Sequence, residues 1–229
     1  MCGRISLFTS TPDLEARFDA TAVREFPACY NVAPGEDLAV VTNEAPDAID
    51  AATWGLLPAW VDDPAGWSSP INARAETLEE KPSFREAAAT RRCLILVDGY
   101  YEWQGGEGRG RAQPYRFSLP DDEPFALAGL WERRRSGGET RRTCAVVTTE
   151  ANAVAEPVHH RMPVVLSADD EDAWLHGDAD ERRAVTAPDG GDDLLATPIS
   201  TAINDPGNDH PGVIDPVDPG TQTGLGDFA

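Results

Sequence analysis

The chain has 229 residues, 41% of them hydrophobic, enough to bury one large core. No apolar run nears the ~18 residues of a membrane span, and no basic-then-apolar leader opens the chain, so a cytoplasmic protein is expected. Forty acids against 19 bases give a net charge of −21, which ordinarily opposes nucleic-acid binding. In a salt-loaded, halophilic cytoplasm that repulsion would be screened, because at ~1 M salt the Debye length is about 3 Å.

The elements are expected in this order. Residues 12–26 have helical periodicity with acids early. "YNVAPGEDLAVVTNEA" is a turn feeding a strand, and "DAATWGLLPAW" a strand running into a Pro-broken aromatic loop. "SPINARAETLEEKPSFREAAATRR" passes from loop to helix, and "RCLILVDGYYEW" is a strand rich in β-branched and aromatic residues. "GGEGRGRAQPYRFSL" is a Gly-rich hairpin loop with its returning strand. "PFALAGLWERRRSGGETRRTCAVVTT" gives two strands about a Gly-Gly turn, "HHRMPVVLS" enters another, and "ADDEDAWLHGD" is a short acidic helix. Strands dominate without regular βαβ alternation. The expected class is α+β, a compact domain with a mainly antiparallel, barrel-like β core and peripheral helices. It spans residues 1–214, and residues 215–229, rich in Pro and Gly, form a flexible tail.

Four cysteines, Cys2, Cys29, Cys93 and Cys144, lie far apart without C-x-x-C, which suits a reducing compartment. Cys93 and Cys144 head apolar runs and read as small buried hydrophobes. Cys2 is different. Removal of Met1 would leave an amine and a thiol on adjacent carbons, both partly reactive near neutrality. An aldehyde condenses with such an amine to an imine, and the thiol then closes a thiazolidine. The opening "MCG" also fits N-terminal-nucleophile amidotransferases.

Partners for Cys2 are sought among the polar signals. Asn72, Arg74 and Glu76 alternate in "INARAET", so in an extended segment they share a face. Glu102 sits between Tyr101 and Trp103, a setting that raises a carboxyl's pKa and suits a general acid. His159 and His160 precede Arg161 and place a proton carrier beside a cation. No metal-ligand spacing or phosphate-binding glycine motif occurs, and neither metal nor cofactor is expected.

These pieces taken together, "MCGR", "YNVAPG", "WGLLPAW", "INARAET", "PSFR", "RRCLILVDGYYEW", "QPYRF", "FALAGLWE", "VVTTEAN", "HHRMPVVL" and "PISTAIND", run in order along almost the whole chain. The sequence resembles the SOS response-associated peptidase (SRAP) family, whose members capture abasic sites in single-stranded DNA, and its composition suggests a halophilic archaeal source. The resemblance implies that Cys2 is the covalent nucleophile after Met1 removal and that Asn72 orients it. It makes Glu102 the general acid/base and gives His159, by register, the proton-transfer role. It makes Arg4, Arg74 and Arg161 holders of phosphates, and assigns Asn31, Pro34, Trp60 and Thr148 to the DNA path. Arg109, Arg111 and Arg116 are further cations for a basic groove. Two readings compete with covalent capture, a Cys-based amidotransferase or hydrolase and a non-catalytic single-strand-binding adaptor. In the tail, Gln222, Leu225 and Phe228 have the Q-x-x-L-x-x-F spacing of peptides that dock on sliding clamps. A monomer is the default expectation.

Overall fold

A computed structural model describes residues 2–105, 112–136, 139–188 and 191–219. Fourteen strands and four α-helices are formed among them, with five short 3-10 turns. In chain order they are β1 (Ile5–Leu7), α1 (Thr11–Phe18), β2 (Thr21–Ala22), β3 (Cys29–Val32), β4 (Asp37–Thr42), β5 (Ala45–Trp54), β6 (Asn72–Arg74), α2 (Arg85–Thr90), β7 (Arg92–Val97), β8 (Gly99–Gln104) and β9 (Gln113–Ser118). Then come β10 (Phe125–Ser136), β11 (Glu139–Glu150), β12 (Arg161–Pro163), β13 (Val165–Leu166), α3 (Ala168–His176), α4 (Ala179–Val185) and β14 (Leu195–Pro198).

The strands β11, β10, β7, β4 and β5 pair in sequence, and β5 returns to β11 through Thr53–Thr143 and Trp54–Cys144. That last, parallel pairing closes a five-stranded barrel, while the other four pairings of the ring are antiparallel. The expected α+β class with a barrel-like core is what the chain forms. Side chains alternate across these strands. Val40, Ala52, Trp54, Ile95, Leu127, Trp131 and Val146 make the inner set. Ala39, Val41, Leu94, Leu96, Ala128, Ala145 and Val147 face out and are covered by Leu14, Phe84, Ala87 and Trp174 from the helical segments. A second sheet, in the order β14-β9-β8-β1-β3, adds Ile5, Val32, Tyr100 and Phe117 to the inner set and so caps one end of the barrel.

Two expectations need correcting. The helix expected over 12–26 ends at Phe18, because Asp19 takes a left-handed conformation (φ 47°) and the chain turns into β2. The single strand expected in "RCLILVDGYYEW" is two, one in each sheet. Asp98 makes the corner, its buried carboxylate accepting from the Phe8 and Thr9 amides and the Thr9 hydroxyl. Gly99 lies so close to Arg116 and the Phe117 carbonyl that a Cβ would come within 2.9 Å of both. One helix, α4, was not expected; its capping box of Asp178 and Glu181 starts it without an apolar stripe.

A buried arginine fastens the helices to the barrel. Arg92, at the start of β7, donates to the Ala88 and Ala89 carbonyls at the end of α2 and to the Trp174 and Leu175 carbonyls at the end of α3. The last carbonyls of a helix lack intrahelical donors. One guanidinium therefore satisfies two helix ends and needs no carboxylate.

Candidate active site

Cys2 is fully buried where the cap meets the barrel, a free thiol within the inner apolar set. Burial above all, and then Glu102, pushes its thiol well above the ordinary range, while a contact of Sγ with the Arg4 carbonyl at 3.8 Å pulls the other way. Asn72, on the short β6 strand opposite Val146 of β11, donates from Nδ2 to the Cys2 carbonyl at 2.7 Å. Its Oδ1 is buried with no hydrogen-bond partner among the described residues. One end of the amide thus fixes the Cys2 main chain.

Glu102 is 3% exposed, and burial pushes its carboxyl up to about 7, against a downward pull from positive charge that includes His160. The flanking aromatics are not the cause. Strand alternation turns Tyr101 and Trp103 to the other face of β8, where the Tyr101 hydroxyl donates to the Tyr30 carbonyl and Trp103 Nε1 to Asn204. Glu102 shares its face with Tyr100, which is stacked on Phe117 at 4.8 Å. Sequence reasoning passed over Tyr100. It is fully buried, and its hydroxyl has no partner among the described residues. Burial, followed by Cys2 and Glu102, pushes its pKa far up. The available signal was its position two residues before Glu102.

His159 is half-buried and His160 exposed, their rings stacked at 4.5 Å. His159 Nδ1 lies 3.0 Å from both the amide nitrogen and the carbonyl oxygen of Arg161, and burial lowers its pKa. Proton transfer through this ring would run through Nε2.

The expected DNA contacts divide into two groups. Arg161 is buried, bidentate to Glu76 at 2.5 and 3.0 Å, and donates to the Thr148 carbonyl at 2.8 Å and its hydroxyl at 3.3 Å. The bond from Arg161 holds the Glu76 carboxyl below its ordinary value. Thr148 is fully buried in that network. Arg4 donates to Asn31 and to the Ile203 carbonyl, and buried Asn31 donates to the Asp205 and Asn208 carbonyls at 2.9 Å. These four residues are thus tied inside the domain. Arg74, Pro34 and Trp60 face solvent, Trp60 being 50% exposed and edge-on to Trp67 at 5.3 Å. Arg116 is buried and paired with Asp122. Arg109, Arg111, Gln222, Leu225 and Phe228 lie outside the described residues. Of the expected tail, Pro216 bridges Ile199 and the Val217 amide donates to the Pro198 carbonyl.

The geometry brings a buried cysteine, an amide holding its main chain and a near-neutral carboxyl to one place. Such a set can move protons around a nucleophile. A family model for the SOS response associated peptidase (SRAP) matches residues 1–206. The abasic site processing protein YoqW of Bacillus subtilis is 35% identical over 223 residues, covering 94% of this chain and 99% of that one. The abasic site processing protein HMCES of Gallus gallus is 29% identical over 194 residues, covering 73% of this chain and 57% of that one. Among solved structures, a protein from Bacteroides thetaiotaomicron superposes with a TM-score of 0.84 at 25% identity, covering 94% of this chain and 100% of the other. One from Bordetella bronchiseptica gives 0.75 at 26%, with 87% and 100% covered.

Proposed function

The chain belongs to the SOS response-associated peptidase family, and from that membership we propose that it processes abasic sites by capturing them covalently in single-stranded DNA through Cys2. The observation that carries this reading is the Glu102 carboxyl, held at about 7 beside the Cys2 thiol. A group with that pKa both gives and takes protons at neutrality.

The chain carries Met1, so the Cys2 nitrogen is first an amide. Hydrolysis of the Met1–Cys2 bond, by the site itself in this proposal, frees the amine. The amine attacks C1′ of the ring-opened deoxyribose. The hydroxyl of the resulting carbinolamine leaves as water with a proton from Glu102, giving an imine. Cys2 Sγ then adds to the imine carbon and its proton passes to the nitrogen, closing the thiazolidine. One aldehyde, amine and thiol become one ring and one water, with no redox change. Asn72 holds the Cys2 main chain throughout, and His159 relays protons during sugar opening. Exposed Arg74 meets a flanking phosphate, and Pro34 and Trp60 border the strand. Arg4, Arg161, Asn31 and Thr148 act in this proposal by shaping the walls.

A single-stranded oligonucleotide carrying one abasic site, run on a denaturing gel, tests the reading. A shifted band that needs no reductant should form with the wild type and be lost in Cys2→Ala. That variant retains an amine, so a borohydride-trapped imine should still appear. A reductant-free band of wild-type intensity in Cys2→Ala would refute thiazolidine capture. The tail residues Gln222, Leu225 and Phe228 are proposed as a sliding-clamp ligand. Deleting residues 221–229 should abolish clamp binding in a titration, and unchanged binding rejects this role.

A further inference from the structure

Stability alone would put phenylalanine at position 100. The Tyr100 ring is fully buried and stacked on Phe117, its opposite number in the β8–β9 ladder, at 4.8 Å with the planes 4° apart. A phenylalanine would stack as well, whereas a buried hydroxyl without a partner is destabilising. The Tyr100 hydroxyl has no partner among the described residues.

Its neighbours differ in this. Four ring-bearing side chains of the inner set carry an N–H or O–H, namely Trp54, Tyr100, Trp131 and the half-buried Tyr115. Trp54 Nε1 donates to the Ile71 carbonyl at 2.9 Å, Trp131 Nε1 to Asn43 at 3.1 Å, and the Tyr115 hydroxyl to Gln104 at 3.2 Å. Tyr100 is the uncommitted ring donor in the apolar set that holds Cys2.

Backbone pairing brings it to the thiol. Tyr100 lies opposite Ile5 in the β1–β8 ladder. One step on, the Arg4 carbonyl accepts from the Tyr101 amide at 3.0 Å, and Cys2 Sγ contacts that same carbonyl at 3.8 Å. A single carbonyl thus stands between the thiol and the β8 main chain, and Tyr100 and Glu102 flank that point on one face of the strand. Electrostatics give the same arrangement. After burial, it is Cys2 and then Glu102 that hold the proton on the phenol, and Glu102 that joins burial in holding the proton on Cys2. The phenol therefore keeps its proton around neutrality and serves as a donor, not as a base.

We propose that Tyr100 is a further catalytic residue, whose hydroxyl donates a hydrogen bond to Cys2 Sγ while the thiol sheds its proton and the sulfur adds to the imine carbon. A sulfur taking on charge in an apolar set is strongly disfavoured, and a fixed neutral donor offsets that without bringing a second charge. No covalent bond of Tyr100 forms or breaks. The thiol proton still ends on the ring nitrogen, as in the capture sequence above, and the phenol keeps its own. A phenol bonded to Glu102 instead would act on the departure of water, but Cys2 stands ahead of Glu102 in its influence on the phenol. The proposal rests on the abasic-capture reading and assigns Tyr100 to its ring-closing step.

The test follows Tyr100→Phe and the wild type in time on a single-stranded oligonucleotide with one abasic site. Denaturing gels run without reductant read the thiazolidine, and samples quenched with borohydride add the imine. In the variant the borohydride-trapped total should rise at the wild-type rate, while the reductant-free band lags by about 10–10²-fold. Its urea midpoint should equal or exceed that of the wild type, and the bend with pH should stay near 7. With formaldehyde in place of DNA, thiazolidine on the peptide that begins at Cys2, read by mass spectrometry, should lag as well. Equal ring-closing rates in the two proteins overturn the proposal. Equal slowing of imine and thiazolidine, or a displaced bend, overturns it in favour of a contact with Glu102. A lower urea midpoint overturns it in favour of a structural role for the hydroxyl. Failure of the abasic-capture reading shows separately, as absence of a Cys2-dependent crosslink to DNA in either protein, and the formaldehyde comparison still decides the role of Tyr100.

Discussion

Replacing Glu102 by Gln removes an ionisable group while keeping its size and one hydrogen-bonding oxygen. In the folded chain burial lifts the carboxyl from an ordinary 4.5 to about 7. A gap of that size amounts to about 3 kcal/mol against the ionised form. Between these values the folded state holds a proton that the unfolded state has released. Stability associated with this group is therefore complete below the unfolded value and is lost as pH rises through about 7. The Gln variant carries no such loss. Urea unfolding of the two proteins should therefore show the variant gaining on the wild type by about 2–3 kcal/mol between about pH 5 and pH 8, the other titrating groups being common to both. Over the same range the wild-type crosslinking rate should bend near pH 7. The variant's rate should be flat in that region and lower by about 10²–10⁴. A stability difference that does not move with pH would show that Glu102 is not desolvated in the folded chain. A bend near pH 7 that survives in Gln would assign the proton transfer to another group.

Three further outcomes follow from named contacts. Arg92→Ala strips donors from four carbonyls at two helix ends, three of the bonds buried, and should cost about 3 kcal/mol or more, read as a lower urea midpoint with unchanged slope. Asn72→Ala removes the 2.7 Å bond to the Cys2 carbonyl. Crosslinking should slow by about 10–10²-fold while the unfolding midpoint moves by about 1 kcal/mol or less, since a misplaced nucleophile loses rate faster than stability. Asn31→Ala unties the Asp205 and Asn208 carbonyls and should cost about 2 kcal/mol, with amide exchange rising selectively over residues 199–217.

The barrel was legible because β-branched and aromatic runs spaced by turns read as strands wherever they pair. The closing of the ring was not, since nothing local to Thr53 or Trp54 announces partners in Thr143 and Cys144. The corner at Asp98 was hidden for the same reason, its partners Phe8 and Thr9 lying about ninety residues away. At the site, Cys2 stood out by residue type and Asn72 by alternation, but only the family resemblance linked the two, and the contact between them is Asn72 Nδ2 on the Cys2 carbonyl. Glu102 was singled out for its neighbours, yet its environment comes from the barrel end, because side chains at successive strand positions face opposite ways. Arg4 and Asn31 looked like surface contacts for DNA. Their partners are main-chain carbonyls near residue 205, and no local pattern encodes those. The capping box of α4 was readable in "DADE" but carried no apolar periodicity to draw attention to it.

The bond from Arg4 to the Ile203 carbonyl spans 199 residues. On a ribosome adding about 5–20 residues per second, those residues follow the start of the chain by about 10–40 s. Through that interval the first strand has emerged but lacks the carbonyls that hold it, so the enclosure around Cys2 cannot be complete. If the enclosure itself cuts Met1, the nascent chain keeps its amine masked until synthesis is nearly finished. During translation stray metabolic aldehydes would then find an amide beside the Cys2 thiol, and the amine–thiol pair that closes a thiazolidine would exist only in the finished fold. In that case the long tie acts as a timer on the exposure of the chemistry.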